Sequence, residues 1–387
     1  MVQRKELNFE GQNIYIGIDV HLKTWHVSIL TESGCLKKHS QQSSAQALFE
    51  HLKKHYPNGN YLSAYEAGFS GFSTYYSLLD FGIECLPVHA ADIPTGQYES
   101  VMKTDAIDST KIARALKSGL LRGIYIPKKE VLDDRNVMRL RITLKRQLSG
   151  YKSRVKHLLY NNGVIYPECF QNSKSHWSKR YLKWVHEDVQ LLSESRNSLD
   201  LLLRQVELFR KSLLEITRLV RTLSRNGRYG EAYENIVSIP GIGMITGMCL
   251  LTEIGDIHRF RNERQFASYL GLVPTSHSSG EKTSHGEMTF RGNKRLGPLL
   301  VESALVAIRQ DRALAAAYGE YCKRMLPQEA IIRITRKLSN RILIILKSGK
   351  SMSMTDVTDR KYKRALQANF NRDDSCINYD EPSRLHL

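Results

Sequence analysis

Acidic side chains stand at the ends of two short apolar runs in the first 110 residues. Asp19 closes the run 14–19, and Glu66 closes the run 61–66. Runs of this length and composition are typical of buried strands, and Gly68 predicts a sharp turn after the second one. Both carboxylates are therefore expected to leave rigid strand ends, which restricts the fold to one that brings such ends together.

A third stretch, residues 103–116, carries two more acids, Asp105 and Asp108. Its apolar residues recur at helical spacing: Ile107, Ile112, Ala115 and Leu116. An i, i+3 spacing places both carboxylates on the same face of a helix. Like charges this close repel each other, and a divalent cation would offset the repulsion.

Taken one at a time, these acids have ordinary interpretations. A strand-end aspartate such as Asp19 is common in turns, and Asp105 suits the first turn of a helix. Acids at two strand ends and on one helix face, all within the first 110 residues, are harder to explain as unrelated turn and cap residues. The sequence therefore predicts a metal-dependent nuclease site that binds Mg²⁺. Its candidate catalytic residues and metal ligands are Asp19, Glu66, Asp105 and Asp108.

The chain is strongly basic. It has 387 residues with 57 Lys and Arg against 39 Asp and Glu, a net charge of +18. Such an excess implies a polyanionic partner, and nucleic acid is the obvious one. We expect a cytoplasmic protein without membrane contact, because no apolar run approaches the ~18 residues that span a bilayer and no signal peptide opens the chain. The six scattered cysteines are expected to be reduced.

Strand-like and helix-like segments alternate over residues 12–122. Predicted strands cover 14–19, 25–30, 35–39, 61–66 and 83–88, and predicted helices cover 45–55, 74–79 and the stretch from 105. Three strands followed by alternating helices and strands match the order of ribonuclease-H-like folds. We therefore expect an α/β domain of this class over residues 1–125.

Residues 126–230 are expected to form a helical coiled-coil domain. One apolar stripe runs from Val137 to Leu158 in steps of three and four, and a second, from Leu199 to Leu223, keeps heptad spacing. The heptads leave two alternatives open with equal weight, a helical hairpin within the chain or a zipper between chains. Basic residues on the other faces of the first helix are candidate nucleic-acid contacts: Arg139, Lys145, Arg146 and Lys152.

Residues 231–365 are expected to form a mainly helical domain, followed by a disordered acidic tail over 366–387. The Pro-Gly-Ile-Gly turn at 240–243 precedes an apolar helix and resembles a helix-hairpin-helix, in which Gly241 and Gly243 let backbone N–H groups approach a phosphate. A plain connector between helices is the alternative.

The end of this region is the most basic part of the chain. Residues 291–364 hold 17 Lys or Arg against 6 Asp or Glu. This excess favours a phosphate-contacting surface, with Arg291, Lys294 and Arg295 as candidate contacts. Just before it, the polar composition of residues 275–282 predicts an exposed loop, to which residue chemistry alone assigns no role.

Several motifs together resemble one known family. They are GID at 17–19, EAG at 66–68, KTDAID at 103–108, the heptads, IPGIG at 239–243, QFASYLGLVP at 265–274 and SG at 279–280. In this combination the chain is similar to the Piv-type DEDD transposases, insertion-sequence recombinases related to the Piv DNA invertase. The resemblance covers nearly the whole chain.

The resemblance implies a RuvC-like DEDD site formed by the four acids and a second catalytic residue, a serine that attacks a DNA phosphate. That serine corresponds to Ser279, five residues after Pro274 and next to Gly280, with Ser278 as the neighbouring alternative. One departure from the family pattern is Pro298. Because proline is tolerated in a first helical turn, we expect a shifted helix start there and an intact function.

The resemblance also implies partners and a setting. The partners would be donor and target double-stranded DNA, a noncoding guide RNA encoded by the element, and further copies of the chain in a dimer or tetramer. The setting would be the bacterial cytoplasm, at the nucleoid. Two other functions stay open: a RuvC-like junction nuclease in which metal-activated water attacks, and a nucleic-acid-binding scaffold without activity.

Overall fold

The computed structural model describes residues 7–96, 105–225, 227–279, 282–288 and 292–352; for residue 106 and residues 274–288 it describes the backbone only. The predicted tail at 366–387 and Arg291 lie outside the described residues. The chain divides into two compact units, residues 1–126 and 127–387.

The first unit is built on one mixed sheet. Its elements are β1 (Asn13–Val20), β2 (Thr24–Thr31), β3 (Leu36–Gln42), α1 (Ala45–His55), β4 (Asn60–Glu66), α2 (Ser73–Asp80), β5 (Glu84–Val88) and α3 (Asp105–Lys117). The strand order is β3-β2-β1-β4-β5, in which β1, β2 and β3 are antiparallel and β4 and β5 run parallel to β1. The strands and helices predicted for this region are confirmed, with small shifts at their ends.

Both faces of this sheet are covered, and β1 lies at its centre. Ile14, Ile16 and Ile18 are fully buried on one face, where they belong to the same core as Leu48 of α1 and Leu78 of α2. Side chains alternate between faces along a strand, so the residues between these isoleucines point to the other face.

Helix α3 covers that other face, where Ile112 packs with Ala64 and Val88. The helix approaches β1 so closely that a Cβ added at Gly17 would lie 2.0 Å from the carbonyl oxygen of Ser109. A residue with a side chain does not fit this space without moving the helix. The glycine of the 17–19 motif therefore sets the distance between the sheet and the helix that carries the two later acids.

The second unit is mainly helical. Its elements are α4 (Lys129–Asn161), α5 (Lys179–Glu187), α6 (Ser193–Ser224), α7 (Gly230–Val237), α8 (Met244–Ile254), α9 (Glu263–Tyr269), β6 (Pro274–Ser279), β7 (Lys282–Met288), α10 (Leu296–Gln310), α11 (Arg312–Cys322) and α12 (Pro327–Ser348). Since α10 begins at Leu296, Pro298 lies in its first turn, as the sequence predicts.

The two long helices, α4 and α6, pack against each other within the chain. Arg141 of α4 donates a hydrogen bond to the Thr217 hydroxyl of α6 at 3.1 Å. Further along α4, the ring of Tyr151 meets that of Phe209 at a centroid distance of 5.3 Å. The later residue of α4 contacts the earlier residue of α6, so the helices are antiparallel. The heptad seam is thus occupied as the hairpin alternative predicts.

Two hydrophobic cores lie along this hairpin. At one end, Val155 of α4 and Leu199 of α6 belong to a core with Tyr181 of α5. At the other end, Met138 and Val220 join the large core formed by α8, α10 and α12. The core of the second unit therefore extends across residue 230, where the sequence predicts a domain boundary, because both long helices contribute to it.

Two global expectations concern membranes and cysteines. Across the described ranges, no helix has both the length and the apolar composition needed to cross a bilayer. The cysteines within these ranges carry free thiols, at positions 35, 85, 169, 249 and 322. The described part of the chain is thus held together by packing and hydrogen bonds and contains no disulfide.

Candidate active site

One end of the sheet gathers polar residues from four strands. The β1–β2 ladder pairs Asp19 with His26, and the β2–β3 ladder pairs His26 with Ser40. The β1–β4 ladder ends one residue earlier, so Asp19 and Glu66 occupy the next positions on parallel neighbouring strands. Paired residues point to the same face of a sheet. A row of one serine, one histidine and two acids therefore crosses the sheet, and Glu66 is exposed at its end.

Helix α3 supplies the other two acids from its first turn, which contains Asp105 and Asp108. Its position is fixed by a buried hydroxyl cluster. The Ser28 hydroxyl of β2 hydrogen-bonds to the hydroxyl of Ser109 at 2.9 Å and to that of Thr110 at 3.0 Å. These bonds and the close approach at β1 determine where the carboxylates of the helix lie relative to the sheet.

Two histidines contact the acids. The Nε2 atom of His21 lies 3.1 Å from a carboxylate oxygen of Asp19 and 3.5 Å from one of Asp105. The Nε2 atom of His26 lies 3.2 Å from that same Asp105 oxygen. The structure therefore brings together the first and third predicted acids, with imidazole nitrogens at hydrogen-bonding distance from both.

The charges of this site influence one another. Burial raises the pKa of the Asp19 carboxyl; the His21 imidazole opposes this, and the negative charges of Asp105 and Asp108 raise it further. Asp108 also forms an ion pair with Lys111 at 2.5 Å, one turn along the helix. The negative charges of Asp19, Asp105 and Asp108 repel one another, which is typical of sites that bind a cation.

The donor set fits a divalent cation. Ligand atoms of Asp19, His21 and Asp105 all lie within 4.8 Å of one another. Carboxylate oxygens suit Mg²⁺ and Mn²⁺, and an imidazole nitrogen suits transition metals. Neither histidine was predicted from the sequence. A signal for both exists, because His21 follows Asp19 by two positions and the tight β1–β2 hairpin pairs His26 with Asp19.

The predicted serine lies in a β-hairpin. Strands β6 and β7 are antiparallel, and Ser279 at the end of β6 pairs with Lys282 at the start of β7. The loop predicted for residues 275–282 is therefore wrong for the backbone of β6, because this segment satisfies its backbone hydrogen bonds by pairing with a later one. The Ser279 side chain and Gly280 lie outside the described part of the structure.

The residues that flank this hairpin are held together. A Cβ added at Gly292 would lie 2.2 Å from the Cα of Gly271, so the two backbones are in direct contact. The N–H of Asn293 donates to the Tyr269 carbonyl at 2.7 Å, and its side-chain amide donates to Glu253 at 3.3 Å. The base of the hairpin is thus anchored to α8 and α9.

Arg139, one of the predicted phosphate contacts, forms a bidentate ion pair within the fold. Its Nε and Nη2 atoms donate to the two carboxylate oxygens of Glu253 at 2.7 and 2.9 Å. Burial alone would raise the pKa of the Glu253 carboxyl, but the hydrogen bonds and charge of Arg139 hold it below its usual range. Because a buried carboxylate already occupies its guanidinium fork, Arg139 links α4 to α8.

The other predicted basic contacts differ in their exposure. Four are exposed, two on α4 and two at the start of α10: Lys145, Arg146, Lys294 and Arg295. Lys152 is half-buried, with its ammonium 5.1 Å from the centre of the Trp177 ring. The exposed residues are free to approach a polyanion, whereas part of Lys152 is used in packing.

The two glycines in the turn between α7 and α8 have different surroundings. Gly241 has a φ of +88°, and a Cβ there would lie 2.4 Å from the carbonyl oxygen of Ser303. Its N–H donates to the side chain of Gln310 at 3.1 Å. These contacts favour the plain-connector alternative for Gly241. A Cβ at Gly243 would meet open space, so Gly243 stays a predicted phosphate contact.

Two models of transposase families match separate stretches of the chain. The DEDD transposase model of IS110 matches residues 16–162, which contain all four acids. The model of the transposase IS116/IS110/IS902 family matches residues 233–319, which contain the β6–β7 hairpin.

Curated relatives agree with these models. A putative transposase of Sinorhizobium fredii is 30% identical over 62% of this chain and 57% of its own length. The transposase for insertion sequence element IS1111A of Coxiella burnetii is 23% identical over 63% of this chain and 65% of its own length. That for element IS1533 of Leptospira borgpetersenii is 25% identical over 65% of this chain and 73% of its own length. The chain belongs to the IS110/IS116/IS902 family of transposases.

Proposed function

We propose that this protein is a DNA transposase of a bacterial insertion sequence, with a RuvC-like, ribonuclease-H-like catalytic domain. The observation that carries the proposal is the meeting of Asp19 and Asp105 at the end of the mixed sheet, within 4.8 Å of a shared imidazole nitrogen. Asp108 lies one turn along the same helix, and Glu66 ends the neighbouring strand. Carboxylates arranged in this way suit phosphoryl transfer on a nucleic acid.

The proposed chemistry divides the work between two sites. The four carboxylates, Asp19, Glu66, Asp105 and Asp108, would hold Mg²⁺, which would supply positive charge to neutralise the phosphate that is cleaved. The Ser279 hydroxyl loses its proton and its oxygen forms a bond to phosphorus, while the bond from phosphorus to the leaving sugar oxygen breaks and that oxygen gains a proton. The link between the serine and the DNA phosphate is itself a phosphodiester, so a hydroxyl at a second DNA end can replace the serine without an external energy source.

The proposed partners follow from charge and from the family. Donor and target DNA account for the net charge of +18. A noncoding guide RNA encoded by the element would pair with both DNAs, and a dimer or tetramer would assemble each active site from different subunits. The proposed location is the cytoplasm, at the nucleoid.

A strand-exchange assay tests this function. Purified protein is combined with Mg²⁺, DNA carrying both ends of its genomic element, and RNA transcribed from the flanking noncoding segment; new joints are amplified and sequenced. We expect joined donor and target DNA, and none when EDTA removes the cation. Strand scission without joints would indicate a junction nuclease, and neither product would indicate a binding scaffold.

Two basic residues of α4 are expected to respond differently to alanine substitution. Lys145→Ala should weaken nucleic-acid binding and reduce the slope of log K against log salt by about 1, because an exposed phosphate contact is lost. Arg139→Ala should leave that slope unchanged but destabilise the fold by about 3 kcal/mol, because the buried Glu253 loses its bidentate partner. Salt titrations and thermal melts of both variants check this. Equal effects on the slope would show that Arg139 also contacts phosphate.

A further inference from the structure

The two histidines beside the predicted acids have no role in the chemistry described above. Both come from the β1–β2 hairpin, His21 from its turn and His26 from β2. Their rings lie edge to face at a centroid distance of 5.9 Å. The side chain of His21 is 47% exposed and that of His26 is 28% exposed, so neither is placed there by burial in the hydrophobic core.

The His21 imidazole faces two of the predicted acids at once. Its Nε2 atom faces one oxygen of Asp19 at 3.1 Å and one of Asp105 at 3.5 Å. The three ligand atoms come from β1, the adjoining turn and the first turn of α3, and all lie within 4.8 Å of one another. Three donors that converge from separate elements would be able to bind one cation together.

His26 is held in another way. The Ser40 hydroxyl hydrogen-bonds to its Nδ1 atom at 2.9 Å, which fixes the ring, and its Nε2 atom lies 3.2 Å from Asp105. His26 does not belong to the group of three ligand atoms that lie within 4.8 Å of one another. A hydrogen bond to a ligating carboxylate is the usual way in which a protein orients that ligand.

We propose that His21 is a direct ligand of the divalent cation, together with Asp19 and Asp105, and that His26 is a positioning residue for Asp105. This inference rests on the proposed function, because it concerns the same cation site. A mixed nitrogen and oxygen donor set binds Mn²⁺ more tightly than Mg²⁺, since imidazole is a better ligand for transition metals than for Mg²⁺. The site is therefore expected to bind Mn²⁺ more tightly than Mg²⁺, although either cation can occupy it.

Pulsed electron paramagnetic resonance of Mn²⁺ bound to the full chain tests the ligand directly. Nitrogen coordinated to Mn²⁺ modulates the electron spin echo, and protein labelled with ¹⁵N-histidine identifies that nitrogen as imidazole. We expect the modulation in the wild type and in His26→Ala, and its loss in His21→Ala. The matched control is His186→Ala, which removes an exposed histidine of α5 in the other compact unit.

Affinity measurements complete the test. His21→Ala should weaken Mn²⁺ binding at least about tenfold while changing Mg²⁺ binding much less, and His26→Ala should weaken both metals to a similar extent. Modulation that persists in His21→Ala but disappears in His26→Ala would overturn the assignment. Mn²⁺ binding that depends on Asp19 but shows no nitrogen would overturn the inference and leave the proposed function standing. No cation binding by the wild type would contradict both.

Discussion

Replacing Ser279 with alanine is expected to lower DNA strand exchange at least about 1,000-fold, because the substitution removes the oxygen proposed to attack phosphorus. DNA binding and thermal stability are expected to stay near those of the wild type, since only a hydroxyl at the end of β6 is lost. After denaturation of a reaction with labelled DNA, the wild type is expected to retain label on the protein. That label should map to the peptide containing residues 277–282.

The neighbouring serine provides the matched control. Ser278→Ala removes the same group one residue earlier, and adjacent residues of a strand point to opposite faces. Its effect is therefore expected to be much milder. An adduct that survives in Ser279→Ala but not in Ser278→Ala would move the nucleophile to Ser278. If neither change affects cleavage, the serine mechanism is wrong for this protein, and a metal-activated water takes its place.

Asp105→Asn is expected to reduce DNA cleavage by about 1,000-fold, which corresponds to the loss of several kcal/mol of transition-state stabilisation. Asparagine has nearly the same volume but no negative charge, so cation binding weakens without creating a cavity. The Asp105 side chain is 50% exposed at the start of α3, so the fold is expected to remain intact. Calorimetric titration with Mg²⁺ and a cleavage assay measure the two effects.

Asp80→Asn serves as the control, since it makes the same chemical change at an exposed position of α2. This variant is expected to keep wild-type cleavage and cation affinity. Partial recovery of Asp105→Asn at high Mg²⁺ concentration would agree with weakened cation binding. Full activity of that variant at ordinary Mg²⁺ concentration would show that Asp105 is not a metal ligand.

The elements of the first unit, and the positions of the acids along them, follow from local patterns in the sequence. Apolar runs, their spacing and the turn residues are local signals, so the strands that end near Asp19 and Glu66 and the helix that begins at Asp105 could be predicted from neighbouring residues. The heptads of α6 are local as well. They predicted an apolar seam but could not identify its partner, because heptad spacing is the same within a chain and between chains.

Contacts between residues that are far apart in the sequence became visible only in the tertiary structure. It paired Arg139 with Glu253, 114 residues away, and filled the space around Gly241 with α10. It also paired β6 with β7 and aligned His26 with Asp19 across two strands. From composition, Arg139 is a surface cation, Gly241 belongs to a flexible turn, and residues 275–282 form a loop. Which contact each one makes depends on how helices and sheets pack, and that packing is a property of the whole fold.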